Sequence, residues 1–110
     1  MATFIMTAKL TQKALAGMLA KPEDRGAALA KLVEAAGGKM TAYYFTTGPT
    51  DLLMIIEADG PEVVATAAMV AGAAGTGSGF CTVQAFTTAE FKAVMEKAGG
   101  ITGSYRHPGS

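Results

Sequence analysis

Leu52-Leu53-Met54-Ile55-Ile56 limits the possible folds of this chain more than any other segment. It is apolar without a break and bounded by turn chemistry, Gly48-Pro49-Thr50-Asp51 before it and Asp59-Gly60-Pro61 after it, so it reads as a short strand. A strand in an antiparallel sheet with one wet face alternates apolar and polar residues. This one is apolar in both parities. Its two faces therefore need two covers: helices of the same chain on one side and a second subunit on the other.

The remaining segments supply the rest of such a sheet. Thr3 to Lys9 alternates as a first strand, and Thr11 then suits a helix N-cap, followed by Leu15, Met18 and Leu19 at helical spacing. Pro22 interrupts and is expected to open a renewed helix, with Glu23 and Asp24 in its first turn and Leu29, Leu32, Val33 and Ala36 as its stripe. Gly37-Gly38 stops that helix. Lys39 to Thr47 is a second strand, with Met40, Ala42 and Tyr44 expected on one face and Tyr43 and Phe45 on the other. A hairpin joins it to the third strand. Asp59-Gly60-Pro61-Glu62 opens a helix carrying Val63, Ala67, Val70, Ala71 and Ala74. Gly75 to Gly79 leads into a fourth strand, Phe80 to Phe86, with Cys81, Val83 and Ala85 expected toward the helices. Thr87 and Glu90 have capping-box spacing before a last stripe of Phe91, Val94, Met95 and Ala98, and Gly99-Gly100 is expected to end that helix.

The order β-α-β-β-α-β followed by a helix predicts an α+β, ferredoxin-like fold: four antiparallel strands with both crossover helices on one face. Residues 1–98 form the domain, and 99–110 a short Gly/Ser/Pro-containing tail, expected to be mobile or tag-derived.

At 110 residues there is room for one domain. Nine basic and nine acidic residues leave no net charge, which argues against a nucleic-acid partner, whose phosphates demand a basic surface. Half the residues are apolar and 16% are charged. That balance excludes disorder, and it leaves too little charge to cover a small domain on its own, so a homo-oligomer is expected. The longest apolar stretch, Val63 to Ala74, is too short to span a membrane. Met1 to Leu10 has no secretory apolar region, and the lone Cys81 cannot form an internal disulfide, which points to a reducing cytoplasm.

Most motifs with chemical potential reduce to structure. Gly75-Thr76-Gly77-Ser78-Gly79 follows a helix and precedes a strand, the reverse of a phosphate cradle. The only histidine, His107, lies in the tail, so no metal or haem ligand set is expected and no cofactor is implied. Asp51, Glu57 and Asp59 are spread along an extended strand, and Cys81 has no base to activate it. The set that stands out is Tyr43, Phe45, Leu53, Ile55, Glu57, Thr82, Gln84 and Phe86, expected on the sheet face opposite the helices. Aromatic and aliphatic walls with a few polar groups suit a small apolar molecule held between two subunits, with Tyr43 donating, Gln84 orienting and Glu57 accepting a proton. Lys9 and Arg25 are candidate rim cations for an acidic ligand.

Several short motifs recur in an ordered series: Lys9-Leu10-Thr11, Pro22-Glu23-Asp24-Arg25, Gly37-Gly38-Lys39, Tyr43-Tyr44-Phe45 ahead of a Gly-x-x-Asp turn, and Ala85-Phe86-Thr87-Thr88-Ala89-Glu90-Phe91. Together they resemble the GYD domain family of small prokaryotic proteins of mostly unassigned function. Gly48 and Asp51 match the family's turn, and Thr50 stands where the family has Tyr. The resemblance implies a dimeric α/β-barrel-like assembly and no particular reaction. The function expected is that of a non-catalytic oligomeric assembly or small-molecule-binding protein acting through its sheet-face interface. The alternative is a cofactor-independent oxygenase or isomerase of the dimeric α/β-barrel type, with Tyr43, Glu57 and Gln84 in an interface cavity.

Overall fold

Alternation places β1 (Ala2–Leu10) and β3 (Leu52–Ala58) at the centre of the molecule, because both carry an unbroken apolar parity on one face. In the computed structural model, which describes residues 1–110, Phe4, Met6 and Ala8 lie opposite Ile56, Met54 and Leu52, all six buried. With β2 (Lys39–Phe45) and β4 (Gly77–Ala85) they form a four-stranded antiparallel sheet in the order β2-β3-β1-β4. The helices α2 (Gly26–Ala35) and α3 (Pro61–Ala73) close the core through Val33, Val64 and Ala67. The α1 helix (Gln12–Ala20) lies on that same side of the sheet but buries no residue. Together with α4 (Thr88–Gly100) this is an α+β fold of four strands and four helices. No helix is long and apolar enough to cross a membrane.

Local chemistry fixes the joints. The Thr11 side chain caps α1 by accepting from the Ala14 N–H. Gly37, at φ 100°, turns the chain out of α2, and the Gly38 and Gly37 N–H groups return to the Val33 and Glu34 carbonyls, each at 3.0 Å. Gly38 also runs so close to α3 and β3 that a Cβ would sit 2.9 Å from a Val63 methyl. At the hairpin, the Asp51 carboxylate accepts from the Leu10 N–H at 2.8 Å, and its own N–H donates to the Ala8 carbonyl at 2.9 Å. The turn aspartate thus prolongs the β1–β3 pairing beyond Leu52, the first residue of β3.

Several expectations need correction. The chain does not re-enter a helix at Pro22: residues 21–25 are a connector, α2 starts at Gly26, and Asp24 accepts from the Gly26 N–H at 2.8 Å. On α3 the inward residues are Val64 and Ala67, while Val70 is exposed. The last helix continues through Gly99-Gly100 and caps at Ile101. The strand phases of β2 and β4 also differ. A bulge between Met40 and Ala42 inserts one residue, so Met40, Tyr43 and Phe45 all lie on the helix side, opposite Ile56, Met54 and Leu52. In β4, Thr82 and Gln84 oppose Met6 and Phe4 on the helix side, and Cys81, Val83 and Ala85 lie on the open face. Cys81 is accordingly exposed, not a core residue.

The open face carries Ile5, Leu53, Ile55, Tyr44 and Val83 and has no helix over it. Beyond it, α4 projects away from the sheet, and the chain extends 61 Å along its longest axis.

The Asp51 bridge gives a direct test. Asp51→Ala is expected to cost about 1–3 kcal/mol, because the Leu10 N–H loses a charged acceptor. Asp51→Asn, which keeps an oxygen acceptor, is expected to recover most of that loss in thermal unfolding.

Candidate functional site

Because α1 buries nothing and carries Gly17 where a larger side chain would reach inward, a cleft of about 370 Å³ is left between α1, α2, α3 and the helix side of the sheet. Its floor is Met6, Leu52 and Met54 from the central strands. Leu29, Leu32 and Val33 of α2 form one wall, Met18 and Ala14 of α1 another, and Ala67, Ala71 and Phe80 the far end. Tyr43 and Phe45 enter from β2, their rings 5.2 Å apart and tilted by 47°. The volume lies in the range of small-molecule sites, and an apolar interior with few polar groups is their usual composition.

The polar groups gather at the mouth. Lys13, Lys21 and Arg25 are there with a single carboxylate, Glu23. Glu23 lies 3.5 Å from the Arg25 guanidinium and 3.8 Å from the Lys21 ammonium, so one acid is shared between two bases. Lys13 donates to the Ala74 carbonyl at 3.0 Å, which ties α1 to the end of α3. The rim therefore keeps an excess of positive charge over an apolar interior. Tyr43 brings a phenol into this setting. Burial pushes its pKa above the usual value, against the smaller opposing pull of the Arg25 charge, so the group stays a neutral donor.

The expected constellation does not assemble. Tyr43 and Phe45 come together, but in the helix-side cleft, because the β2 bulge carries them across the sheet. Ile55 and Glu57 stay on the open face; Glu57 faces Lys39 there in the β2–β3 register. Gln84 lies on the helix side of the edge strand, exposed and outside the cleft. Phe86 lies past the end of β4 and pairs with Phe91 at 6.2 Å. Tyr43, Glu57 and Gln84 thus share no cavity, and the arrangement drawn for an oxygenase or isomerase is corrected by the two strand registers. Of the two cations expected at a rim, Arg25 lines this helix-side cleft and Lys9 does not. Lys13, Lys21 and the Met18 wall were not legible, since nothing in a helix stripe shows that its helix will stand away from the sheet. No three His, Cys, Asp or Glu side chains gather into a group that could hold a metal.

Comparison with known proteins places these features in context. A family model described as the GYD domain matches residues 4–95. No curated protein matches the chain. Among solved structures, TTHA0845 from Thermus thermophilus is similar at 17% identity and a TM-score of 0.46, over 80% of this chain and 96% of that one. A REP-associated tyrosine transposase bound to a REP hairpin is similar at 10% identity and a TM-score of 0.45, over 96% of this chain and 70% of the other. Neither likeness is close enough to bear on function.

The Tyr43 environment makes a measurable statement. A phenol with a raised pKa holds its proton more tightly folded than unfolded, so its contribution to stability is complete below pH 10 and is lost as pH rises through the folded-state value. Alkaline difference absorbance is expected to show one tyrosine ionising above the ordinary phenol range, and Tyr43→Phe is expected to remove that step.

Proposed function

We propose that this chain, which belongs to the GYD domain family, is a small-molecule-binding protein whose helix-side cleft takes an amphipathic anion, an apolar body ending in a carboxylate or similar group. The observation that supports this most is the pairing of an apolar interior with a mouth of three cations and one acid. An apolar body gains from leaving water among Met6, Met18, Leu29, Met54 and Phe80. The anion stays at the mouth, where Arg25 and Lys21 supply charge-assisted donors, and the neutral Tyr43 hydroxyl adds a third. The acid and bases of the cleft sit together at its mouth, where Glu23 is held by Arg25 and Lys21, over an interior that is mainly apolar, so binding rather than turnover is the reading the residues support.

Self-association belongs to the same reading. The strand order β2-β3-β1-β4 and the one-sided helix layer support a ferredoxin-like arrangement, and the helix-free face carrying Ile5, Leu53, Ile55 and Val83 supports pairing with a second copy, as in a dimeric α/β barrel.

Gly17 offers a discriminating variant. It is helical, lines the cleft, and a Cβ built on it would meet nothing within 4 Å. Gly17→Leu is expected to stabilise the fold by about 0.5–1 kcal/mol through helix propensity while filling the cleft. Decanoate is expected to displace an anionic naphthalene dye from the wild type at lower concentration than decanol does. Arg25→Ala with Lys21→Ala is expected to weaken decanoate about three- to tenfold, and Gly17→Leu to abolish dye binding. Equal displacement by acid and alcohol, or undiminished binding in Gly17→Leu, would contradict the assignment to this cleft.

A further inference from the structure

We infer that α4 is an exchanged arm: its apolar stripe seats on the open sheet face of a second copy of this chain, and the partner's α4 seats reciprocally on the first. The inference rests on the self-association proposed above and names the element that completes it.

The first observation is the amount of surface. A folded monomer of 11.2 kDa is expected to expose about 5,700 Å², whereas this chain exposes 7577 Å². The excess, roughly 1,900 Å² per chain, is more than twice the ~800 Å² per partner of a standard stable interface. The radius of gyration gives the same answer, 18.0 Å against about 13 Å for a compact chain of this length.

The second observation is where the excess lies. Every residue from Phe86 to Ser110 is exposed, and α4 packs against little besides the short 3₁₀ turn that follows it, Thr102–Ser104. Yet α4 is built as a docking helix. Phe91, Val94, Met95 and Ala98 line one side, while Glu90, Lys92, Glu96 and Lys97 occupy the rest. Its start is fixed by a complete capping box, Thr87 accepting from the Glu90 N–H and the Glu90 carboxylate accepting from the Thr87 N–H. That second bond holds the Glu90 carboxyl below its usual pKa. Such a helix, 44–60% exposed at Phe91, Val94 and Met95, is preformed and lacks only a surface to cover.

The third observation identifies that surface. The open face is the other large apolar area without a cover, and both areas belong to the same chain, so two copies satisfy each other by a two-fold operation. A helix about 10 Å across covers two strands spaced about 4.8 Å apart. On that face Ile5 is paired with Val83 on one side and Ile55 on the other; the seat is placed on the β1–β4 half, which leaves Leu53 and Ile55 for contact between the two sheets. In this structure α4 does not dock in cis, since Phe91, Val94 and Met95 all stay exposed.

Two measurements on the full chain test this. Sedimentation equilibrium is expected to give an even number of chains per particle. The combined Phe91→Asp, Val94→Asp and Met95→Asp variant is expected to fall to one chain with its circular dichroism unchanged, since these side chains touch nothing in their own core. A wild type of one chain overturns both self-association and exchange; a variant that keeps the wild-type mass overturns exchange alone. Should the triple variant misfold, Met95→Cys decides. Mild oxidation is expected to join it to the native Cys81 of a second copy, giving a linked pair on a non-reducing gel that disappears in Met95→Cys with Cys81→Ser. No linked pair, or an equal yield without Cys81, overturns the exchange.

Discussion

The contact between β1 and β3 is the constraint from which the rest of the molecule follows. Phe4, Met6 and Ala8 against Leu52, Met54 and Ile56 form one buried ladder, and each is nearly inaccessible to water. Helices α2 and α3 pack onto that ladder through Val33, Val64 and Ala67. The Asp51 carboxylate extends it by one more bridge, to the Leu10 N–H. Because the opposite parity of β3 is also apolar, the ladder that makes the core leaves a second apolar face behind it. One strand pair thereby accounts for both a cleft-bearing side and an apolar side without a helix over it.

The cleft exists because one covering element is thin. α1 presents Ala14, Gly17 and Met18 toward the sheet and has no buried side chain, so it spans the sheet without filling the space beneath. The connector at residues 21–25 then places Lys21, Glu23 and Arg25 at the opening. Charge and apolar volume are thus contributed by adjacent parts of one segment. A chain with so few charged residues nonetheless places three cations, Lys13, Lys21 and Arg25, with one carboxylate at a single cleft mouth.

Much of this architecture was legible because it depends on strong local signals. The parity of β1 and β3, the Thr11 cap, the Gly37-Gly38 stop and the Thr87–Glu90 box all follow from residue type and spacing. The site was less legible, for two reasons. A bulge near Thr41 reverses strand parity without any change in composition, so simple alternation puts Tyr43 and Phe45 on the opposite face from the cleft they line. In β4, Val83 and Ala85 are the more apolar parity, and the usual inference that such a parity faces the helices fails when the open face is apolar as well. Nor can a helical stripe show what it will meet: Phe91, Val94 and Met95 look the same whether their cover is in the same chain or another.

The central claim is that the two faces of one apolar strand serve two purposes, ligand on one side and a second copy on the other. Native mass spectrometry of untreated purified protein reads both at once. The account predicts an even number of 11.2 kDa chains carrying small-molecule mass at up to one per chain, released on denaturation and detected as an anion. A single chain with nothing bound would contradict it on both faces.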